Sequence, residues 1–134
     1  MSESANVEVV RNAYAAFQRG DIEGVLRLLD DDVEWHGVKG AEGAAPHAGA
    51  RKGRPAVATF FEQLAASTEF TRFEPREFIA QGDQVVVIGD YAANVTTTGR
   101  PIVSDWAMVF TVRDGRIARF REWTDSAQLV RAYA

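Results

Sequence analysis

The 134-residue chain contains no cysteine. That excludes disulfides, thiolate–zinc sites and a cysteine nucleophile together. Histidine is nearly as scarce: the chain has only His36 and His47, and two histidines without a third ligand at zinc-like spacing make no metal motif. Basic residues are in the minority, 15 Lys and Arg against 19 Asp and Glu, so the basic excess of a nucleic-acid-binding face is missing. No apolar run is long enough to span a bilayer. Met1 to Asn6 carries neither the basic nor the apolar stretch of a secretory signal. These absences lead us to expect one cytoplasmic domain over residues 1–134, with no nucleic-acid, membrane or metal partner. Hydrophobic residues make up 46% of the chain. At this length they can bury about two-thirds of the surface of the unfolded chain. Any catalysis has to use carboxylate, imidazole or phenol.

The first half has helical periodicity. Val7, Val10, Tyr14 and Phe17 form an apolar stripe, and Gly20 supplies a stop. Asp21 caps a second helix with Ile22, Val25, Leu26 and Leu29 on one side, and Asp30, Asp31 and Asp32 are read as its solvated end. A short strand, Val33 to His36, follows. Gly37 to Gly53 is rich in Gly and Ala and reads as a long loop. Pro55 opens a third helix whose buried face is Val57, Phe60, Phe61 and Leu64. The second half changes to strand character. Phe70 to Ala80 carries Pro75, the mark of an edge strand or a bulge. Gln84 to Thr97, Ile102 to Arg113 and Arg116 to Asp125 follow, with turns at Gln81-Gly82-Asp83, Gly99 and Asp114-Gly115. Ser126 to Tyr133 suits a terminal helix. Helices followed by hairpins is the α+β pattern, with one curved antiparallel sheet wrapped around the N-terminal helices. The cone-shaped hollow between them is the natural ligand site.

Four segments carry a family resemblance: Val10-Arg-Asn-Ala-Tyr-Ala-Ala-Phe-Gln-Arg-Gly-Asp21, Leu29-Asp-Asp-Asp-Val-Glu-Trp35, Ala48 to Phe61, and Asp105-Trp-Ala-Met-Val-Phe through Arg121-Glu-Trp-Thr-Asp125. In this order the chain resembles the SnoaL-like, ketosteroid-isomerase-like proteins of the nuclear-transport-factor-2-like superfamily. The resemblance implies a cone-shaped α+β barrel, a pocket at its open end and a homodimer packed through the sheets. It leaves the reaction open, because fold is not function. Ketosteroid isomerases use an aspartate base with a tyrosine and a protonated aspartic acid as oxyanion donors. Carried onto this sequence, those positions fall at or beside Gly37, at Ala13 and at Met108. All three depart from the pattern, which argues against the steroid isomerase mechanism.

Alternation along the strands, phased by the same resemblance, turns Trp106, Met108, Phe110 and Val112 inward. It turns Ala118, Phe120, Glu122 and Thr124 inward on the last strand, and Tyr91, Ala93 and Val95 on the strand before Gly99. The candidate catalytic groups are Glu122, Tyr14 and His36. Glu122 in an apolar hollow would have its pKa raised toward the range useful for proton transfer. Trp35, Phe60, Tyr91, Trp106, Met108 and Phe120 are the candidate ligand-binding residues, and His47 could cover the pocket mouth. Two functional classes follow. One is a cofactor-free acid–base isomerase, cyclase or dehydratase acting on a small apolar carbonyl compound, polyketide-like or steroid-like. The other is a non-catalytic ligand-binding or dimeric structural module.

Overall fold

The computed structural model describes residues 2–134. It runs α1 (Glu3–Gln18), α2 (Ile22–Arg27), β1 (Leu29–Gly37), β2 (Gly49–Lys52), α3 (Arg54–Ser67), β3 (Thr68–Gln81), β4 (Gln84–Val95), β5 (Pro101–Arg113), β6 (Arg116–Thr124) and α4 (Ser126–Tyr133). Side chains at the helix starts satisfy backbone N–H groups that the helix itself cannot. Ser2 Oγ accepts from the Ala5 N–H at 3.1 Å, Asp21 from Gly24 at 2.9 Å and Asp125 from Gln128 at 3.1 Å. Gly20, at φ 76°, reverses the chain after α1 in the left-handed region that glycine adopts without strain.

The six strands form one curved, unclosed sheet in the order β2-β1-β6-β5-β4-β3. The expected antiparallel sheet is corrected to a mixed one, because β1 runs parallel to β6, with Trp35 opposite Phe120 and His36 opposite Arg121. This pairing joins the first strand to the last, and no local turn signal announces so distant a partner. Three further expectations change. Leu29 is not on the second helix; it begins β1 and is fully buried. Asp30 to Asp32 lie in the strand, where its pairing with β6 slips between Leu29 and Glu34, and Asp31 meets Arg54 at 3.1 Å. The long loop contains a strand, β2, which pairs along the other edge of β1.

Pro75 accounts for itself doubly: β3 is an edge strand, and its register with β4 shifts between Pro75 and Glu77. Another shift, between Thr111 and Val112, corrects the inward position of β6. Ile117, opposite Val112, is fully buried, whereas Ala118 is only part-buried. The extra residue of a bulge re-phases the alternation, and beyond it Phe120 is buried as the pattern requires.

The helices α1 and α3 fill the concave side of the sheet. The Tyr14 ring sits within 6.1 Å, centroid to centroid, of Phe73, Phe78, Trp106 and Phe110. Fully burying each such side chain is worth roughly 1.5–3 kcal/mol, so this aromatic cluster anchors α1 to β3 and β5. Across the sheet Gly89 pairs with Pro75 on one side and Trp106 on the other. A side chain at Gly89 would run into the Glu74 carbonyl and the Trp106 ring. We therefore expect Gly89→Ala to cost about 1–3 kcal/mol, read by urea denaturation; unchanged stability would refute this account of the Trp106 seat.

Candidate functional site

A cavity of about 90 Å³ lies between the concave sheet face and the helices. Its wall is mostly aromatic and aliphatic, and every element except β2 contributes. Tyr14 comes from α1, Trp35 from β1, Phe60 from α3, Tyr91 from β4, Met108 from β5, Phe120 and Glu122 from β6, and Leu129 from α4. The terminal helix is pinned in place by the Tyr133 hydroxyl, which shares hydrogen bonds with Ser67 (2.9 Å) and Thr68 (2.8 Å). Among the described residues, no Lys or Arg side chain lines the cavity.

Glu122 is the carboxyl in that wall. The surface it retains borders the cavity. Its Oε1 accepts from the Val38 N–H at 3.3 Å, and its backbone carbonyl accepts from Lys39 at 2.9 Å. Burial disfavours the charged form and pushes the Glu122 pKa from 4.5 up to about 7, against the smaller opposing effect of the Val38 N–H. The same burial, reinforced by the Glu122 charge, raises the Tyr14 phenol well above its ordinary value. Tyr91 is raised by burial too, with Glu122 adding to the effect. Both phenols therefore stay protonated and able to donate. The Tyr14 hydroxyl donates to Met108 Sδ at 3.0 Å. A thioether is a weak acceptor, so this donor is readily given up to a stronger one.

Seven of the nine residues singled out from the sequence border one cavity: Glu122, Tyr14, Trp35, Phe60, Tyr91, Met108 and Phe120. Trp106 does not border it. Its ring is buried one layer behind, stacked on Tyr14 at 5.8 Å and on Phe73 at 5.2 Å. His36 lies on the other face of β1, between the inward neighbours Trp35 and Gly37, and its Nε2 meets Glu42 Oε1 at 2.8 Å. Strand alternation separates it from the cavity.

Two contributions were not read from the sequence. One is the Val38 N–H, a backbone group that no side-chain pattern reports. Its local signal is conformational: Val38 has φ 43°, a left-handed value that costs a β-branched residue energy and aims its N–H at Glu122. The other is the depth of His47, which is 3% exposed and lines the cavity wall. Burial, helped by the nearby Arg51 charge, lowers its pKa from 6.5 to about 4, so the imidazole is neutral near pH 7.

The structure leaves no room for a side chain at Gly37, at or beside which the resemblance marks the base of the isomerases. A Cβ there would meet Phe60 Cε1 at 2.6 Å and the His47 carbonyl oxygen at 3.0 Å. Gly37 follows the His36–Arg121 pair, which puts it beside Glu122 on the adjoining strand. The carboxyl stands one strand over from the position the resemblance marks.

Glu122 and His47 give opposite pH dependences. Between pH 4.5 and about 7 the unfolded chain loses the Glu122 proton while the folded chain keeps it, so stability falls as pH rises. Between about pH 4 and 6.5 the unfolded chain holds a His47 proton that the folded chain refuses, so stability rises with pH. The two act in opposite directions in the wild type. We expect Glu122→Gln to leave a stability that rises more steeply across that window than in the wild type, and His47→Phe one that falls relative to it. Denaturation midpoints measured at several pH values check both signs; identical profiles in all three proteins would exclude buried titration at these sites.

The comparisons agree with this fold. Residues 10–120 match the family model described as the SnoaL-like domain. An uncharacterized protein of Mycobacterium tuberculosis (strain H37Rv) is 28% identical over 123 residues, 92% of this chain and 91% of its own length. The crystal structure of an NTF2-like protein from Burkholderia xenovorans LB400 is 35% identical, covers 100% of this chain and 99% of its own, and superposes with a TM-score of 0.89. The structure of TerC co-crystallized with polyporic acid is 30% identical, with coverage of 96% and 98% and a TM-score of 0.83. By its sequence match over most of its length and by its mixed, curved sheet around a cavity, the chain belongs to the SnoaL-like domain family of the NTF2-like fold.

Proposed function

We propose that the chain binds a small, neutral, mostly apolar carbonyl compound in its cavity and carries out cofactor-free acid–base chemistry on it, an isomerisation, cyclisation or dehydration. The observation that carries this reading is Glu122: a carboxyl brought to a pKa of about 7 inside an apolar cavity, in the company of two protonated phenols. A group poised near neutrality can both take and return a proton. As base, Glu122 removes a proton from the carbon next to the substrate carbonyl. Tyr14 or Tyr91 donates a hydrogen bond to the oxygen on which negative charge develops. Glu122 then returns the proton at the new position, and the enzyme ends as it began. His36, on the other face of β1, is left out of this scheme. That a relative 30% identical was co-crystallized with an organic compound, polyporic acid, supports a ligand in this fold.

The cavity's size constrains the ligand. At about 90 Å³ it is smaller than the roughly 150 Å³ that holds benzene in an engineered core and far below the roughly 300–1,000 Å³ of sites for drug-sized molecules. A steroid-sized ligand would need the wall to open; a single ring asks much less of it.

The test uses small cyclic ketones in D₂O, with deuterium uptake beside the carbonyl followed by NMR. Exchange should rise with pH to a plateau above about pH 7, as Glu122 ionises. Glu122→Gln should slow it at least about 100-fold. Ligand binding without exchange in the wild type would favour the non-catalytic module, a reading supported by the replacement of all three isomerase positions.

We also propose a homodimer packed through the sheets. The convex face exposes Ile79, Ile88, Val103 and Trp123, and Ile88, Ala107 and Trp123 lie side by side across three strands. Apolar surface of this kind marks association sites. Light scattering should give twice the chain mass for the wild type and the monomer mass for Ile88→Arg.

A further inference from the structure

We propose that His36 and Glu42 are positioning residues for Glu122: their contact clamps the turn that follows β1 and so keeps the Val38 N–H on the Glu122 carboxyl. This deepens the acid–base reading above and rests on it.

Among the described residues, the Val38 N–H is the one hydrogen-bond donor to the Glu122 carboxyl, at 3.3 Å. The titratable groups that share the cavity wall with Glu122 are Tyr14 from α1, Tyr91 from β4 and His47 from the segment between β1 and β2. None of them donates to it. The ionised carboxylate therefore depends on one backbone group, and that group depends on the conformation of Val38.

Val38 has φ 43°, in the left-handed region that a β-branched residue holds only under constraint. Its N–H reaches the Glu122 carboxyl while the next N–H, that of Lys39, reaches the Glu122 carbonyl at 2.9 Å. Relaxation of φ to a negative value rotates these two N–H groups relative to each other, so that Glu122 cannot keep both. The Ala41 N–H, which donates to the Val38 carbonyl at 3.2 Å, is one restraint on that rotation. The other is made of side chains. His36 Nε2 meets Glu42 Oε1 at 2.8 Å, and Glu42 Oε2 accepts from the Gly40 N–H at 2.8 Å. The two oxygens of one carboxylate thus hold the strand before Val38 and the turn after it. The hydrogen bond from His36, ahead of those from backbone N–H groups, holds the Glu42 carboxyl below its ordinary range. Glu42 is therefore ionised near pH 7, and both contacts are charge-assisted. An exposed pair of this kind adds little to stability. What it supplies is direction: it closes the turn around the strained residue from the side of β1 away from the cavity.

The test is the titration of the Glu122 carboxyl by ¹³C NMR, without substrate, in the wild type, Glu42→Ala and Glu42→Gln. Glu42 is exposed, so neither substitution disturbs the core. Alanine removes both contacts. The glutamine amide keeps an acceptor for Gly40 and a group that meets the imidazole. Both variants lose the same negative charge, which by itself lowers the Glu122 pKa. Loss of the Val38 N–H acts in the opposite direction, because that bond favours the ionised form. We expect the Glu122 pKa in Glu42→Ala to lie about half a unit to one unit above that in Glu42→Gln. The Val38 amide proton should shift as Glu122 ionises in the wild type and in Glu42→Gln, and lose that response in Glu42→Ala. Equal Glu122 values in the two variants, a lower value in Glu42→Ala, or a Val38 response that survives there overturns the clamp. The comparison decides the clamp whatever the wild-type value; a wild-type value near 4.5 in place of about 7 overturns the acid–base reading instead.

Discussion

The parallel pairing of β1 with β6 is the contact from which the rest of the molecule takes its form. Through it the N-terminal helices and the C-terminal hairpins, which could otherwise be two loosely related halves, share one sheet. It stacks Trp35 on Phe120 and brings the Val38 N–H to the Glu122 carboxyl. It is also followed by the segment in which His47 becomes part of the cavity wall. A parallel pair cannot be closed by a tight turn, so this contact forms only when the two ends of the chain meet. The cavity is therefore a product of the whole fold and of no single motif within it.

The same pairing sets the limit of what the sequence discloses. Local signals were legible: the helical stripe of α1, the Asp caps, the hairpin turns, and the ambiguity of Pro75, which proved to lie on an edge strand and next to a register shift. Alternation along the strands, once phased by the family resemblance, placed Glu122, Tyr91, Met108 and Phe120 on the concave side. It failed at Ala118, because a bulge adds one residue and leaves no compositional trace. It could not supply β2 or the parallel register of β1, since both depend on partners far away in the chain. His47 was visible as a loop histidine, but its burial depends on Phe60 and Tyr133 closing around it, contacts 13 and 86 residues away in the sequence. Backbone groups such as the Val38 N–H carry no residue identity to be read.

The wall is almost wholly uncharged, and that governs its chemistry. With no cation in the lining, nothing but a backbone N–H stabilises the ionised form of Glu122. The carboxyl is thereby kept near the midpoint of its titration, and the phenols stay protonated beside it. The charged residues of the sheet are elsewhere: Asp90, for example, is paired with Arg72 and Arg76 across the β3–β4 ladder. Alternation along each strand thus separates a surface held by ion pairs from an interior with few polar groups.

Gly37 shows how two arrangements of one fold can become isolated from each other. Its missing side chain is the space that Phe60 and the His47 backbone occupy. Placing a carboxyl there takes more than one codon: the phenyl ring has to shrink and the following loop has to withdraw before an aspartate fits. Each change made alone yields a protein with a hole or a clash and no gain in chemistry. A carboxyl on β6 and a closed seat at Gly37 are thus parts of one packing arrangement. Which strand can bear the acid is decided by the ring and loop packed against Gly37 as much as by residue 122 itself.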